Sequence, residues 1–407
     1  MKNIGELILS VVFLVALILF CVFLPGLFDS QQLTRLMHSG LKPGVCPVRD
    51  AVFPLDPLNG PGSSSLLEAG EVLKEASFYQ KLEKNAVQCR LCPRRCVIPD
   101  GLRGYCGARQ NRNGVLYTLV YAKPVAIHID PIEKKPLFHF LPATTVYSVA
   151  TAGCNLKCKF CQNWEISQSK PEDLEYVYLE PKDLVRKAKE SGSPAIAYTY
   201  NEPTVFYEYM LETARLARQE GLKNVMHSNG YINEEPLRAL AKFLDAANID
   251  LKGFSDDYYA KIAEGSLGPV LNSLKILKEE GVHIEITTLL LSGFNDDAQG
   301  LRKLCLWIKE NLGADTPLHF SRFFPMYKLM SLAPTPVESL EKAREIAIDC
   351  GLRYVYIGNV PANPAENTYC PKCKKLIIER RGFFVVQNNL EDGKCKFCGE
   401  KIAGVWK

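Results

Sequence analysis

The stretch Gly153-Cys154-Asn155-Leu156-Lys157-Cys158-Lys159-Phe160-Cys161 is the most informative part of the sequence. Its cysteines follow the spacing Cys-x3-Cys-x2-Cys, directly after the apolar run 145–150. Three thiolates cannot complete a tetrahedral structural zinc site, which takes four ligands. They can hold three irons of a [4Fe–4S] cluster, which ordinarily takes four cysteines, so that one iron keeps an exchangeable position. A zinc knuckle that borrows a distant fourth ligand is the alternative.

Around this stretch, apolar runs rich in β-branched residues alternate with amphipathic helices. Such alternation means parallel strands joined by crossover helices. The sequence therefore predicts an α/β fold with a partial (β/α)6 barrel over 144–360, and an open doubly wound sheet is the alternative. The cysteine stretch then lies at the carboxyl end of the first strand, where barrel enzymes collect their active-site groups. The predicted strands are 145–150, 195–200, 224–227, 247–251, 283–291, 318–323 and 354–357, and three of the predicted helices, each ending before a glycine, are 205–220, 270–280 and 298–312.

Composition and motifs exclude some classes of function. Of the 407 residues, 47% are hydrophobic and 23% are charged, which is typical of a packed globular protein. The net charge of +4 is too near neutral to indicate a nucleic-acid partner. No Gly-x-Gly-x-x-Gly or Walker pattern opens a predicted helix, so a cradle for nucleotide phosphates is not supported.

The cysteine stretch resembles the signature of the radical S-adenosylmethionine (SAM) superfamily, which combines this spacing with an aromatic residue before the last cysteine. The resemblance covers roughly 140–330. More closely, about 70–407 resembles the radical SAM enzyme of the AmmeMemoRadiSam system, which is related to the activating enzymes of glycyl radical enzymes such as pyruvate formate-lyase. The stretches that carry this likeness are Glu133-Lys134-Lys135-Pro136-Leu137-Phe138-His139-Phe140, Tyr200-Asn201-Glu202-Pro203-Thr204, Ser228-Asn229-Gly230 and Asp250-Leu251-Lys252.

The resemblance implies an oxidoreductase in which Cys154, Cys158 and Cys161 ligate a [4Fe–4S] cluster. SAM would bind the open iron through its amino and carboxylate groups. One electron would cleave it to methionine and a 5′-deoxyadenosyl radical, which abstracts hydrogen from a protein or small-molecule substrate. The cofactors perform this chemistry, while the protein supplies position and exclusion of water.

The resemblance also implies SAM contacts. Phe160 is expected over or beside the adenine, and Glu202 is expected to hold the ammonium group, as in the Gly-Gly-Glu-Pro motif of relatives. Here Tyr200 and Asn201 replace the two glycines, which puts their backbone contacts in doubt. An ordinary helix-start acid before Pro203 is the alternative for Glu202.

Further SAM contacts are expected at the ends of the third and fourth strands. These residues would contact the SAM carboxylate and ribose, or a cation beside it, although His227 replaces an acidic residue of close relatives. His319 is the last candidate, and a buried core histidine is its alternative. The strand-end candidates are Ser228, Asn229, Asp250 and Lys252, and a solvated charge is the alternative for Lys252.

A four-cysteine module is predicted within 66–143. Its ligands are spaced Cys-x2-Cys-x3-Cys-x9-Cys with glycines between them, which indicates a closed metal site. Zn2+ would be structural there, whereas an auxiliary iron–sulfur cluster would relay electrons. The spacing does not decide between these metals, and disulfides are a further alternative. The ligands are Cys89, Cys92, Cys96 and Cys106.

A second four-cysteine module is predicted within 361–407. Paired Cys-x2-Cys turns separated by 21 residues are typical of a zinc ribbon, with a strand at 383–386 between the pairs. A rubredoxin-like single iron would use the same ligands. They are Cys370, Cys373, Cys395 and Cys398.

The first residues of the chain are uncharged over Leu7–Phe28, which is 22 residues, and roughly 20 cross a bilayer core. The sequence therefore predicts a membrane anchor over 1–28, with a cleaved signal peptide as the alternative. A linker at 29–65 and an amphipathic helix at 66–85 follow. Because iron–sulfur clusters and SAM belong on the cytosolic side, the prediction is a single-pass membrane protein with its catalytic domain in the cytoplasm.

Two functions of different classes follow from these features. The first is a radical SAM enzyme that depends on an electron donor such as flavodoxin or ferredoxin and has AmmeMemo-type proteins as possible partners. The second is a non-catalytic, membrane-anchored metal scaffold. The substrate, the electron donor and the oligomeric state are not encoded in any pattern that the sequence offers.

Overall fold

The computed structural model describes residues 73–407. In this part of the chain no helix is long and apolar enough to cross a membrane. The predicted anchor at 1–28 and linker at 29–65 lie outside the described residues. The prediction of a single-pass membrane protein is therefore corrected and not retained, because an uncharged run satisfies only the hydrophobicity condition for a membrane span.

The N-terminal module consists of two small antiparallel sheets, ordered β1-β6-β5 and β2-β3-β4. The helix predicted over 66–85 is wrong for its described part, which forms β1, β2 and a 3-10 turn. Pairing of Lys74 and Glu75 with β6 outweighs the local helical spacing of apolar residues. The strands are β1 Lys74–Glu75, β2 Tyr79–Lys81, β3 Val87–Cys89, β4 Val97–Ile98, β5 Arg109–Arg112 and β6 Val115–Thr118.

The main sheet has eight strands in the order β14-β13-β12-β11-β10-β9-β8-β7. The seven strands from β8 onwards are parallel, which confirms the predicted α/β architecture and every predicted strand of it. The sheet keeps two edges, at β7 and β14, as a partial barrel requires. Its strands are β7 Ala126–Pro131, β8 Thr145–Ala150, β9 Ala195–Tyr198, β10 Lys223–Ser228, β11 Ala246–Asp250, β12 His283–Leu290, β13 Leu318–Arg322 and β14 Val355–Gly358.

The helices pack against the parallel strands through their apolar faces, and glycines at positive φ end three of them, at Gly221, Gly281 and Gly313. A 3-10 turn, Pro203–Phe206, precedes α3, and a π-helix, Tyr259–Ala263, follows α5. The helices are α1 Trp164–Ser167, α2 Pro181–Glu190, α3 Tyr207–Gln219, α4 Glu234–Ala241, α5 Asp256–Tyr258, α6 Leu267–Glu279, α7 Ala298–Asn311 and α8 Val337–Asp349.

Strand β7 is the one strand of the main sheet that the sequence analysis missed. It runs antiparallel to β8, with Pro131 opposite Thr145 and Ala126 opposite Ala150. The connection 132–144 therefore lies at the amino end of β8, opposite the end that leads to Cys154. We call this connection the plug, because its His139 and Pro136 hydrogen-bond to side chains of β12 and β11 inside the barrel.

The C-terminal module docks on the plug. Its strands include the predicted one at 383–386, and the backbone of Val405 exchanges hydrogen bonds with His139 and Leu141 of the plug. The buried Arg380 guanidinium donates to the Phe138 carbonyl over 2.8 Å. The strands are β15 Thr368–Tyr369, β16 Leu376–Arg381, β17 Phe384–Asn388, β18 Leu390–Glu391 and β19 Lys394–Cys395.

A fully buried carboxylate, Glu285 of β12, joins the plug to the barrel. It accepts hydrogen bonds from the His139 backbone N–H and from the rings of His283 and His319. Burial opposes its charge, but the bonds from these two rings hold the pKa of Glu285 well below its usual range. The plug thus depends on one anion with a full set of donors.

We expect the fold to lose stability in mild acid because of His139. Burial lowers the pKa of this ring to about 4, from 6.5. The unfolded chain therefore binds the proton first, and stability falls as the pH drops from about 6.5 towards 4, by on the order of 3 kcal/mol. Denaturant unfolding at pH 7 and pH 4.5 measures this loss. A His139→Gln variant should show a smaller loss, and equal stability of the wild type at both pH values would contradict the assignment.

Candidate functional site

The predicted cluster ligands lie in the loop that follows β8. Cys154 and Cys158 are buried, and Cys161 is partly exposed. The backbone N–H groups of Lys157 and Lys159 donate to the carbonyls of Ala263 and Ile262, which ties the loop to the π-helix. The three thiols are thus held by backbone contacts at the carboxyl end of the parallel sheet.

Two hydrogen bonds point at the sulfur of Cys154. The Leu156 backbone N–H donates over 3.4 Å and the Asn229 side-chain amide over 3.8 Å. The same Asn229 amide donates to Asn155 Oδ1 over 2.9 Å. Such bonds to a ligating sulfur tune the potential of an iron–sulfur cluster.

Gly153 allows the chain to turn into the cysteine loop. Its φ is +94°, a left-handed conformation that favours glycine. A Cβ at this position would lie 2.6 Å from the carbonyl oxygen of Cys106. The start of the cysteine loop therefore touches the N-terminal module directly.

Glu202 lies beside this loop and is fully buried. Its Oε1 accepts from the N–H and hydroxyl of Thr204 and from the Ser228 hydroxyl, and its Oε2 accepts from the Asn229 N–H. The structure thus brings together the predicted residues Glu202, Ser228 and Asn229. Burial raises the pKa of Glu202, although these donors favour the carboxylate.

The two residues before Glu202 keep features of the glycines that they replace. Tyr200 has a φ of 67°, in the left-handed region that glycine prefers. The Asn201 side-chain amide donates to the carbonyls of Thr151 and Gly153, at 2.6 and 2.8 Å. The Oδ1 atom of Asn201 is buried without a hydrogen-bond partner. An acceptor without a donor beside the cysteine loop fits a bound ammonium group.

A second group of predicted residues surrounds Asp250 at the end of β11. Its carboxylate accepts from Lys252 Nζ over 2.9 Å and lies 3.1 Å from His227 Nε2. Burial opposes the charge, but Lys252 and His227 hold the pKa of Asp250 well below its usual range. The Lys252 ammonium lies 5.6 Å from the centre of the buried Phe160 ring, so the predicted residues Phe160, Asp250 and Lys252 are neighbours.

The thiols themselves fit a metal cluster. Burial raises the pKa of Cys158 to about 12, and Lys252 only partly offsets it. Burial and the nearby Glu202 raise the pKa of Cys154 well above its usual value. Buried thiolates without a cation are therefore unfavourable, whereas bound iron would replace the protons.

His319 lies in a different group of residues. Its Nε2 is 2.7 Å from Glu285, and its ring stacks on Tyr356 and meets Phe138 of the plug edge-on. These contacts are in the amino-terminal part of the barrel and favour the alternative interpretation of a buried core histidine.

The C-terminal quartet forms a compact ligand set. The sulfurs of Cys370 and Cys398 lie 3.6 Å apart, and those of Cys373 and Cys395 lie 3.7 Å apart. Tetrahedral bonds of about 2.3 Å to one ion place sulfurs about 3.8 Å apart. The four sulfurs all lie within 4.8 Å of one another. It could hold a single metal ion.

Comparison with known proteins agrees with this geometry. The Radical SAM superfamily model matches residues 148–305. The uncharacterized protein MJ0808 of Methanocaldococcus jannaschii is 50% identical over 332 residues, which cover 81% of this chain and 99% of that protein. The chain belongs to the radical SAM superfamily.

Two further relatives have names that state an activity. The putative glycyl-radical enzyme activating enzyme MJ1632 of Methanocaldococcus jannaschii is 24% identical over 237 residues, which cover 57% of this chain and 85% of that protein. The pyruvate formate-lyase-activating enzyme of Clostridium pasteurianum is 22% identical over 160 residues, covering 39% and 66%. These matches bear out the predicted kinship with activating enzymes. The closer likeness to the AmmeMemoRadiSam system stays a prediction.

The sequence analysis missed some residues that support the radical SAM site. Asn155 connects Asn229 to the cysteine loop, since its amide also donates to the Tyr231 carbonyl over 2.7 Å. The sequence indicated Asn201 only as a replacement for glycine, and it did not predict that the Oδ1 atom of Asn201 would be a buried acceptor without a hydrogen-bond partner. Asn155 and Asn201 are adjacent in sequence to Cys154 and Glu202, and this adjacency was the available signal. Their hydrogen-bond partners could not be predicted, because these are distant in sequence.

We expect Gly153→Ala to disturb the cysteine loop. The added methyl group would lie less than 3.0 Å from the Cys106 carbonyl oxygen, a separation that Cβ atoms essentially never show. The positive φ of this position adds backbone strain. Stability should fall by about 2–4 kcal/mol, and iron bound after anaerobic reconstitution should fall with it. Gly192→Ala is the matched control, because Gly192 has a φ of +73° but nothing within 4 Å. Equal effects of the two substitutions would show that the contact does not matter.

We expect Cys373→Ser to remove one metal ion, which we predict to be zinc, and to leave the iron content unchanged. The C-terminal module has a small core of its own, and zinc sites contribute on the order of 10 kcal/mol to such modules. Metal analysis and thermal unfolding measure the two effects. Lys372→Ser is the control, because Lys372 is the exposed residue before Cys373 and its substitution keeps all four thiols. Retention of the zinc by Cys373→Ser would exclude this quartet as its site.

Proposed function

We propose that this radical SAM enzyme cleaves SAM reductively and uses the resulting radical to abstract hydrogen from a substrate. The observation that supports this most directly is the trio of Cys154, Cys158 and Cys161, two of them buried, beside the hydrogen-bonded group of Glu202, Ser228 and Asn229. When bound by the trio, a [4Fe–4S] cluster supplies the electron that cleaves SAM to methionine and a 5′-deoxyadenosyl radical.

The protein's own residues would bind and orient SAM. Asn201 Oδ1 offers an unused acceptor to the ammonium group, and Glu202 Oε2 has accepted only one hydrogen bond, so it has room for a second. Ser228 and Asn229 hold that carboxylate in place. Glu202 is then both the helix-start acid of the alternative interpretation and an ammonium ligand.

The Asp250 group would bind the other half of SAM. Asp250 is held as an anion by Lys252 and His227, so it can accept from ribose hydroxyls. The Lys252 ammonium can also pair with the SAM carboxylate. Phe160 offers an apolar ring beside Lys252 for the adenine.

For the substrate, we propose a polypeptide, as the names of the activating-enzyme relatives suggest. Exposed apolar side chains in the loops that follow β8, β12 and β13, here called the rim, support this, because exposed apolar surface at the carboxyl ends of the strands favours a macromolecular partner. A glycyl radical acceptor and AmmeMemo-type proteins are both compatible with such a rim, and flavodoxin or ferredoxin would supply the electron. The rim residues are Trp164, Phe294, Phe324 and Met330.

Anaerobic SAM cleavage tests the proposed function. The reconstituted full-length chain with a strong reductant should release 5′-deoxyadenosine, and Cys158→Ala should reduce that release at least 100-fold because the cluster loses a ligand. Cys305→Ala is the control, since Cys305 is buried on α7 outside every cysteine module. If the wild type binds its full cluster and still releases no 5′-deoxyadenosine, the protein is a metal scaffold instead.

A further inference from the structure

The four thiols of the N-terminal module do not form a compact group like that of the C-terminal module. We propose that Cys89, Cys92, Cys96 and Cys106 bind a second [4Fe–4S] cluster, which exchanges electrons with the SAM cluster. The identity of the metal rests on the module alone, whereas the electron exchange rests on the proposed function.

The spacing of the four sulfurs argues against a single ion. A tetrahedral zinc with bonds of about 2.3 Å requires sulfurs about 3.8 Å apart. The C-terminal quartet meets this condition, since its four sulfurs all lie within 4.8 Å of one another, and it is the one compact group of metal-binding side chains among residues 73–407. In a four-iron cluster each thiolate binds its own iron, so the four thiolates stand farther apart. The N-terminal quartet does not form such a compact group.

The four thiols nevertheless face one cavity. Cys89, Cys92, Cys96 and Cys106 all line it, together with the apolar side chains of Leu91 and Ile98. The backbone brings them there: the Cys89 N–H donates to the Cys96 carbonyl over 2.9 Å, and Gly107, at a φ of +73°, turns the chain after Cys106. A shared apolar cavity excludes water from a metal–sulfur centre.

A buried guanidinium also lines this cavity and points to an anionic occupant. Arg109 is 1% exposed, and its Nη1 lies 3.7 Å from Cys89 Sγ. Glu208 pairs with Nη2, but Nε is buried and has no hydrogen-bond partner. A donor left unpaired at full burial is costly, and a thiolate or sulfide of a cluster would satisfy it. A four-thiolate metal centre would supply a sulfur acceptor for this remaining donor.

The cavity is adjacent to the loop of the SAM cluster. Asn155, the residue after Cys154, lines it as well, and Arg94 Nε donates to the Asn155 carbonyl. On the other side of Cys154, Gly153 lies against the Cys106 carbonyl. The backbone on both sides of Cys154 therefore contacts the N-terminal module, through Arg94 and through the carbonyl of the predicted ligand Cys106. The C-terminal quartet docks instead at the plug, at the opposite end of the barrel.

The proposed step is a transfer of one electron. An external low-potential protein donor, with a flavin or an iron–sulfur centre, reduces the N-terminal cluster from the 2+ to the 1+ state and is itself oxidised by one electron. That electron then passes to the SAM cluster, and the N-terminal cluster returns to 2+. No bond is made or broken in the N-terminal module, since all four of its irons keep their thiolates.

Metal analysis of the full chain tests the identity of the centre. The triple variant Cys154→Ser, Cys158→Ser and Cys161→Ser lacks the SAM-cluster ligands and leaves the N-terminal module intact. After anaerobic reconstitution it should retain about four irons and four sulfides per chain with about one zinc, against about eight irons and one zinc in the wild type. Two zincs in the wild type, and no iron in the triple variant, would overturn the proposal.

Electron paramagnetic resonance tests the exchange. When both clusters of the wild type are reduced, their spins should couple and broaden the spectrum. Cys92→Ser should lose about four irons, and its remaining signal should be narrow and still change when SAM is added. An unbroadened wild-type spectrum with both clusters reduced would refute the exchange.

The outcomes separate this inference from the proposed function. If the wild type cleaves SAM but the triple variant holds zinc, the inference fails and the function stands. If both clusters are present and no SAM is cleaved, the metal assignment stands and the function fails.

Discussion

The buried carboxylate of Glu202 is the interaction on which the site depends most. Strands β9 and β10 end side by side, and this one anion accepts from Ser228 and Asn229 at the end of β10. Asn229 in turn donates to Cys154, so the carboxylate fixes the position of a predicted cluster ligand. A buried anion is tolerated only when it is hydrogen-bonded, and removing this carboxylate would leave its buried donors without a partner.

The two ends of the barrel have different roles, since one holds the candidate site and the other is closed by the plug and the C-terminal module. At the carboxyl ends of the strands, the cysteine loop, the Asp250 group and the N-terminal module come together. At the amino ends, the plug and the C-terminal module close the barrel around Glu285, His139 and Arg380. The compact quartet of the C-terminal module is therefore distant from the chemistry, which fits a structural ion.

The helix predicted over 66–85 is wrong because the spacing of its apolar residues was interpreted from local pattern alone. In the described part of this segment, Lys74 and Glu75 pair with β6, more than 40 residues later in the chain. Strand β7 was missed because it pairs antiparallel in a sheet whose other strands follow the parallel alternation.

The sequence alone determined the parallel α/β fold and the membership of the superfamily, and it predicted the cysteine ligands, because spacing and periodicity are local properties of the chain. It also placed Glu202, Ser228 and Asn229 at strand ends, which parallel strands must bring to one rim. Only the tertiary structure decided that His319 lies with the plug, that Asn201 holds an unused acceptor, and that the two cysteine quartets differ in compactness and position. These properties depend on contacts between residues far apart in the chain, such as Gly153 with Cys106, and no local pattern encodes such distances.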